Sequence, residues 1–130
     1  MNETVDSAAD RSCKTPRWRI LKSQLNNYSP IDFKKEYTQA ENPILLDVRQ
    51  PHEYANFHLE DAIHINYFAE DFWDEIEKLD SNRPIFVYCR SGRRSMRVCT
   101  LMRNGGFSKE NIYHLDGGLN TWEETFGTGQ

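Results

Sequence analysis

A chain of 130 residues with 38 % hydrophobic content suits one compact domain with a modest tail. Its net charge of −4 argues against a polyanion binder, and no apolar run approaches the roughly 20 residues of a membrane span. Cys13, Cys89 and Cys99 show neither CxxC nor zinc-type spacing, which speaks against a disulfide scaffold or a structural zinc and fits reduced thiols.

Residues 1–25 mix charges with little periodicity and are expected to form a mostly flexible N-terminal tail, with the folded domain over 26–127. Met1 to Asp10 lack the apolar core of a secretory signal and the Arg-rich character of a mitochondrial presequence, so a soluble cytoplasmic protein is expected. Trp18, Ile20 and Leu21 are candidates for docking part of the tail. Ser29-Pro30 reads as an N-cap with proline at the first helical position, opening a short helix to about residue 37. The stretch 44–48 is apolar on nearly every residue, as buried parallel strands are. Pro51 opens a helical turn through 56, and 62–65 is a short strand. Over 68–79 the pattern is an amphipathic helix with Phe72, Ile76 and Leu79 on one stripe. A β-prone run at 84–88 leads into Cys89, and a helix over 92–104 ends at Gly105-Gly106. Residues 112–115 form the last strand, and 119–125 a final turn or two of helix after Gly117-Gly118. Strands alternating with helices predict an α/β domain with a parallel sheet covered on both faces.

The segment Cys89-Arg90-Ser91-Gly92-Arg93-Arg94-Ser95 is the candidate for chemistry. A strand-to-helix turn aims successive backbone N–H groups, and the positive end of the helix dipole, into one concavity. A thiol placed there has its anion stabilised, and the thiolate is the nucleophilic form. The charge distribution agrees. No Asp or Glu occurs from Ser81 to Lys109, a stretch carrying Arg83, Arg90, Arg93, Arg94, Arg97, Arg103 and Lys109. Because these cations centre on Cys89, a small anionic substrate explains them better than nucleic acid does.

The chain resembles the rhodanese-like family of single-domain sulfurtransferases from about Tyr28 to Trp122. The resemblance rests on Leu45-Leu46-Asp47-Val48-Arg49, Glu53-Tyr54, His58-Leu59 with Ala62-Ile63, the Cys89 to Ser95 loop, and Asp116-Gly117-Gly118 with Trp122. It implies an open, mainly parallel five-stranded sheet with helices on both faces, and a persulfide on Cys89 held by the loop. Asp47, Arg49 and Glu53 are then expected near the carboxyl edge of the sheet, pairing loop arginines and shaping the pocket. One departure stands out. Where family members usually read Gly-His-Ile-Pro-Gly-Ala, this chain reads Phe57-His58-Leu59-Glu60-Asp61-Ala62, so an altered turn is expected there.

The function implied is transfer of sulfane sulfur from a small anionic donor such as thiosulfate to a thiol or protein acceptor. Arg90, Arg93 and Arg94 would attract and orient the donor, without metal, cofactor, nucleic acid or membrane. A Cdc25-like phosphatase or arsenate reductase is the first rival, but Cys-x5 ends here at Ser95 and not at arginine. A non-catalytic interaction or redox module is the second. Cys99 is expected to be core, beside Val98 and Met102. Cys13 is a candidate resolving thiol, and Trp122 a packing anchor. His52, His58, His64 and His114 share no metal-ligand spacing.

Overall fold

The computed structural model describes residues 17–127. Five strands form one parallel sheet: β1 (Asn27–Tyr28), β2 (Ile44–Asp47), β3 (Ile63–His64), β4 (Ile85–Tyr88) and β5 (Ile112–Leu115). They lie in the order β1-β5-β4-β2-β3. The helices are α1 (Arg17–Ser23), α2 (Pro30–Gln39), α3 (Pro51–Asn56), α4 (Phe72–Glu77), α5 (Arg93–Asn104) and α6 (Gly118–Phe126). From β2 the chain moves outward to β3, then crosses back to place β4 on the other side of β2. The carboxyl ends of β2 and β4 therefore flank the point where strand order reverses, the usual ligand crevice of open α/β sheets.

Side chains alternate between the two faces along each central strand. Ile44, Leu46 and Val48, with Ile85, Val87 and Cys89, face one core together with Ile76 of α4 and Met96, Val98, Cys99 and Met102 of α5. Leu45, Phe86 and Tyr88 face the other, with Phe33 of α2, and Leu119 and Trp122 of α6. Cys99 and Trp122 are thus packing residues, both buried.

Three stretches differ from the sequence expectation. Within the stretch 1–25 expected to be a tail, Arg17–Ser23 is helical, Leu25 is buried and Leu21 packs against the core; Ile20 stays exposed, and Cys13 lies outside the described residues. The two-residue strand β1 is too short for any periodicity, and only its pairing with β5 defines it. The helix expected over 68–79 begins at Phe72, because the Asn66 side chain and carbonyl take the N–H groups of Phe68 and Ala69 into a turn. The turn of 57–62, expected to change for want of its glycines, closes with the Ala62 N–H donating to the Leu59 carbonyl at 3.0 Å. Asp61 supplies the left-handed residue at φ 71°, a conformation aspartate tolerates better than most.

Candidate active site

The site grows from the end of β4. Cys89 is the first residue past the strand and is fully buried, its sulfur facing α5. The chain then turns through Arg90 and Ser91 to Gly92, whose φ of 93° starts α5 directly. That turn folds back on the sulfur. Cys89 Sγ accepts from the Gly92 N–H at 3.1 Å, the Ser95 N–H at 3.3 Å and lies 3.3 Å from Ser95 Oγ. Two backbone donors and a helix N-terminus so converge on one atom, an arrangement that favours an anion there.

A second glycine turn supports the first from outside. At the start of α6, the N–H groups of Leu119 and Asn120 donate to the carbonyls of Cys89 and Arg90 at 2.9 and 3.0 Å. Gly118 has φ 62°, and a Cβ there would sit 2.4 Å from the Cys89 carbonyl oxygen. Asp116-Gly117-Gly118 thus matters as a backbone-to-backbone contact that no side chain can enter. Gly118→Ala is expected to cost about 2 kcal/mol or more from left-handed strain and collision together. It should lower both thermal stability and the reactivity of Cys89. The control is Gly106→Ala, where φ is also positive but a Cβ meets nothing within 4 Å. That variant should lose stability alone, and equal losses of Cys89 reactivity in the two would refute the buttress.

The arginines divide their work. Arg94 donates to the Glu53 carboxylate at 3.0 and 3.4 Å, tying the start of α5 to α3. Arg90 meets Glu123 of α6 at 3.2 Å. Arg93 and Ser91 are exposed and line a crevice of about 240 Å³ beside the loop, with Gly92, Met96, His114 and Lys22. Burial works against the ionised form of Glu53, but the hydrogen bonds from Arg94 and the Gln50 N–H outweigh it and hold its carboxyl below the ordinary value. The stability this pair contributes is present above the unfolded-state pKa of Glu53 and is lost as pH falls through the folded one.

Asp47 and Arg49 lie at the carboxyl end of β2, near the sheet edge where they were expected, but their partners differ from the expectation. They pair with each other, Arg49 Nη2 to Asp47 Oδ2 at 2.8 Å, both fully buried, and not with a loop arginine. Tyr88 donates to the same carboxylate at 2.8 Å, and its oxygen accepts the Leu59 N–H at 3.1 Å. Arg49 also donates to the Phe57 carbonyl. Asp47, Tyr88 and Arg49 therefore brace the 57–62 turn on the sheet face opposite Cys89. Of the three supporting residues, only Glu53 touches the loop.

One residue behind the sulfur, reaching it only through Ser95, was not foreseen. His114 of β5 is buried, and its Nε2 lies 2.8 Å from Ser95 Oγ. Its Nδ1 lies 2.8 Å from Asn27 Oδ1 of β1. A histidine two residues before Asp116-Gly117-Gly118 was the available signal, since β5 lies beside β4. His58 and His64 serve structure, bonding the backbone carbonyls of Tyr54 and Arg49 at 2.8 and 2.7 Å. Among the described residues, no group of three or more His, Cys, Asp or Glu is placed to hold a metal. None of their helices is long and apolar enough to cross a membrane.

Comparison with known proteins agrees with this fold. The family model for the rhodanese-like domain matches residues 29–125. A thiosulfate sulfurtransferase, GlpE, of Stutzerimonas stutzeri is 34 % identical over 84 residues, covering 64 % of this chain and 72 % of that protein. The polysulfide-sulfur transferase of Wolinella succinogenes superposes with a TM-score of 0.67 at 24 % identity, covering 84 % of this chain and 80 % of the other. A rhodanese-related protein of Thermoplasma volcanium gives a TM-score of 0.66 at 22 % identity, over 78 % and 93 % of the two chains. At those identities the two structures speak for the fold.

Proposed function

The chain belongs to the rhodanese-like domain family, and from that premise we propose that it is a sulfurtransferase carrying sulfane sulfur as a persulfide on Cys89. The observation that carries the proposal is the sulfur of Cys89 receiving the N–H groups of Gly92 and Ser95 at the start of α5. A site built of N–H donors suits the resting thiolate and, after loading, the anionic outer sulfur that the same concavity would hold.

In the first half-reaction the Cys89 thiolate attacks the outer sulfur of a donor such as thiosulfate. A Cys89–S bond forms, the donor's S–S bond breaks, and its electron pair leaves on sulfite. In the second, a thiophilic acceptor attacks the outer sulfur and the pair returns to Cys89 as thiolate. Cyanide serves as acceptor in an assay, and a thiol or a protein cysteine in the cell. Arg93, exposed, lines the crevice by which an anion would reach the loop, and Arg90 and Arg94 shape the loop through Glu123 and Glu53.

Phosphate chemistry lacks its clamp. The position that would carry the arginine of a Cys-x5-Arg loop is Ser95, and Arg94 is engaged by Glu53 at 3.0 Å. The test is intact-mass spectrometry of the purified protein before and after thiosulfate. A gain of one sulfur atom, removed by cyanide with release of thiocyanate, is the expected result. No gain with either thiosulfate or polysulfide overturns the proposal.

A further inference from the structure

Behind the sulfur runs a chain of four side chains: Cys89 Sγ, Ser95 Oγ at 3.3 Å, His114 Nε2 at 2.8 Å from that hydroxyl, and Asn27 Oδ1 at 2.8 Å from His114 Nδ1. Its direction can be deduced from the far end. The Asn27 amide nitrogen donates to the carbonyls of Lys22 and Leu25 at 2.7 and 3.3 Å, so Asn27 must turn its oxygen to the imidazole. Nδ1 of His114 therefore carries the proton, and Nε2 of the neutral ring offers a lone pair. Ser95 has one hydroxyl proton and two acceptors in reach, Cys89 Sγ at 3.3 Å and His114 Nε2 at 2.8 Å, and the nearer imidazole takes it while Cys89 is a thiol. What Ser95 then presents to Cys89 is a lone pair, which suits a thiol S–H and opposes a sulfur anion.

Thus two groups claim a single proton whenever Cys89 is anionic. Turning the hydroxyl to the sulfur strands a buried imidazole nitrogen; leaving it on His114 denies the anion its third donor. Either choice costs free energy, because a buried polar group without a partner is penalised. We propose that His114 is a positioning residue that, through Ser95, limits how strongly the loop stabilises the anionic sulfur of Cys89. The proposal rests on Cys89 being the nucleophile. Its chemical sense is that a thiolate's nucleophilicity falls as its anion is made more stable, with a Brønsted slope of about 0.4–0.5. A loop offering every donor to the sulfur would ionise it fully and blunt it.

The ring stays neutral for reasons visible around it. Burial pushes the pKa of His114 down to about 4, against the raising effects of the Asp116 charge and the Gly92 backbone and with the Lys22 charge aiding it. Lys22 and Asp116 themselves pair at 2.7 Å, so Lys22 offsets part of the larger Asp116 effect at the ring. On the other elements, Cys89 and Cys99 are buried in the core cluster formed with α5, and Arg93 is exposed on the crevice that His114 also lines.

The test is the pH dependence of alkylation by iodoacetamide on the full chain, resolved at the Cys89 peptide by mass spectrometry so that Cys13 and Cys99 do not contribute. It needs no sulfur donor, so it reads independently of whether sulfur transfer is observed. His114→Leu should move the midpoint of the profile down by about one unit, giving about tenfold more thiolate below both midpoints. In a Ser95→Ala background the same substitution should move nothing, because the hydroxyl it frees is gone. A shift upward, no shift, or a shift that survives in Ser95→Ala overturns the proposal. A ¹⁵N NMR titration of the wild type covers the case where His114→Leu fails to fold. His114 should remain the neutral Nδ1–H tautomer as Cys89 ionises; proton uptake by the ring would mean a relay and overturn the competition.

Discussion

Cys89→Ala is expected to abolish sulfur loading and thiocyanate formation, with a loss on the order of 10⁴-fold or more, the scale that follows deletion of a covalent nucleophile. The fold should survive. The removed sulfur lies in a core of aliphatic and methionine side chains, and the loop around it is also fixed by the α6 N–H groups on the Cys89 and Arg90 carbonyls. The other thiol among the described residues is no ready substitute. Cys99 is fully buried among the same residues, and burial pushes its thiol pKa upward, away from the thiolate. The measurement is intact mass after thiosulfate alongside a thiocyanate assay, with circular dichroism on the same sample. A folded Cys89→Ala protein that still gains a cyanide-labile sulfur would place the nucleophile elsewhere and overturn the site assignment.

Asp47→Ala carries the largest expected loss of stability, about 3–5 kcal/mol, the range for removing one partner of a buried ion pair. The carboxylate is the acceptor for Arg49 through Nε, Nη2 and the backbone N–H, and for the Tyr88 hydroxyl. Arg49 is 1 % exposed, so its cation would have no water to turn to. Burial opposes the Arg49 cation, yet the bond to Asp47 outweighs it and keeps its pKa above the ordinary value. Burial and the Asp47 charge likewise raise the Tyr88 pKa, so the phenol stays a donor. Urea unfolding of wild type and variant measures the difference. A loss below about 1 kcal/mol would show that the cluster is hydrated and not a structural brace. Asp47→Asn should fall between, since it keeps an oxygen for Tyr88 and gives up the charge. Because Asp47 and Tyr88 face away from Cys89, the fraction of Asp47→Ala that remains folded should still load sulfur.

The sequence by itself carried the candidate nucleophile and its loop, because those features are local. Cys89 follows an apolar run, Gly92 permits the turn, and α5 begins at once, so three successive residue types dictate one backbone path. The same holds for Ser29, whose hydroxyl accepts the Asp32 N–H at 3.3 Å at the start of α2, and for the apolar pattern of β2 and β4. What the chain could not display is anything defined by strand order. Asp47 ends β2 and Cys89 directly follows the end of β4, yet register and the two-residue alternation send them to opposite faces of the sheet. Arg49 and Glu53 read alike as charges near a motif, but one braces the 57–62 turn and the other holds Arg94. β1 has no pattern of its own and exists only as a partner of β5. Through that pairing Asn27 comes to orient His114, residues 87 positions apart whose meeting no spacing rule encodes. Local turn and periodicity signals fix where the sulfur sits and what cradles it. Only the tertiary fold decides which charges touch the loop and which histidine stands behind it, because those contacts are made by neighbouring strands and not by neighbouring residues.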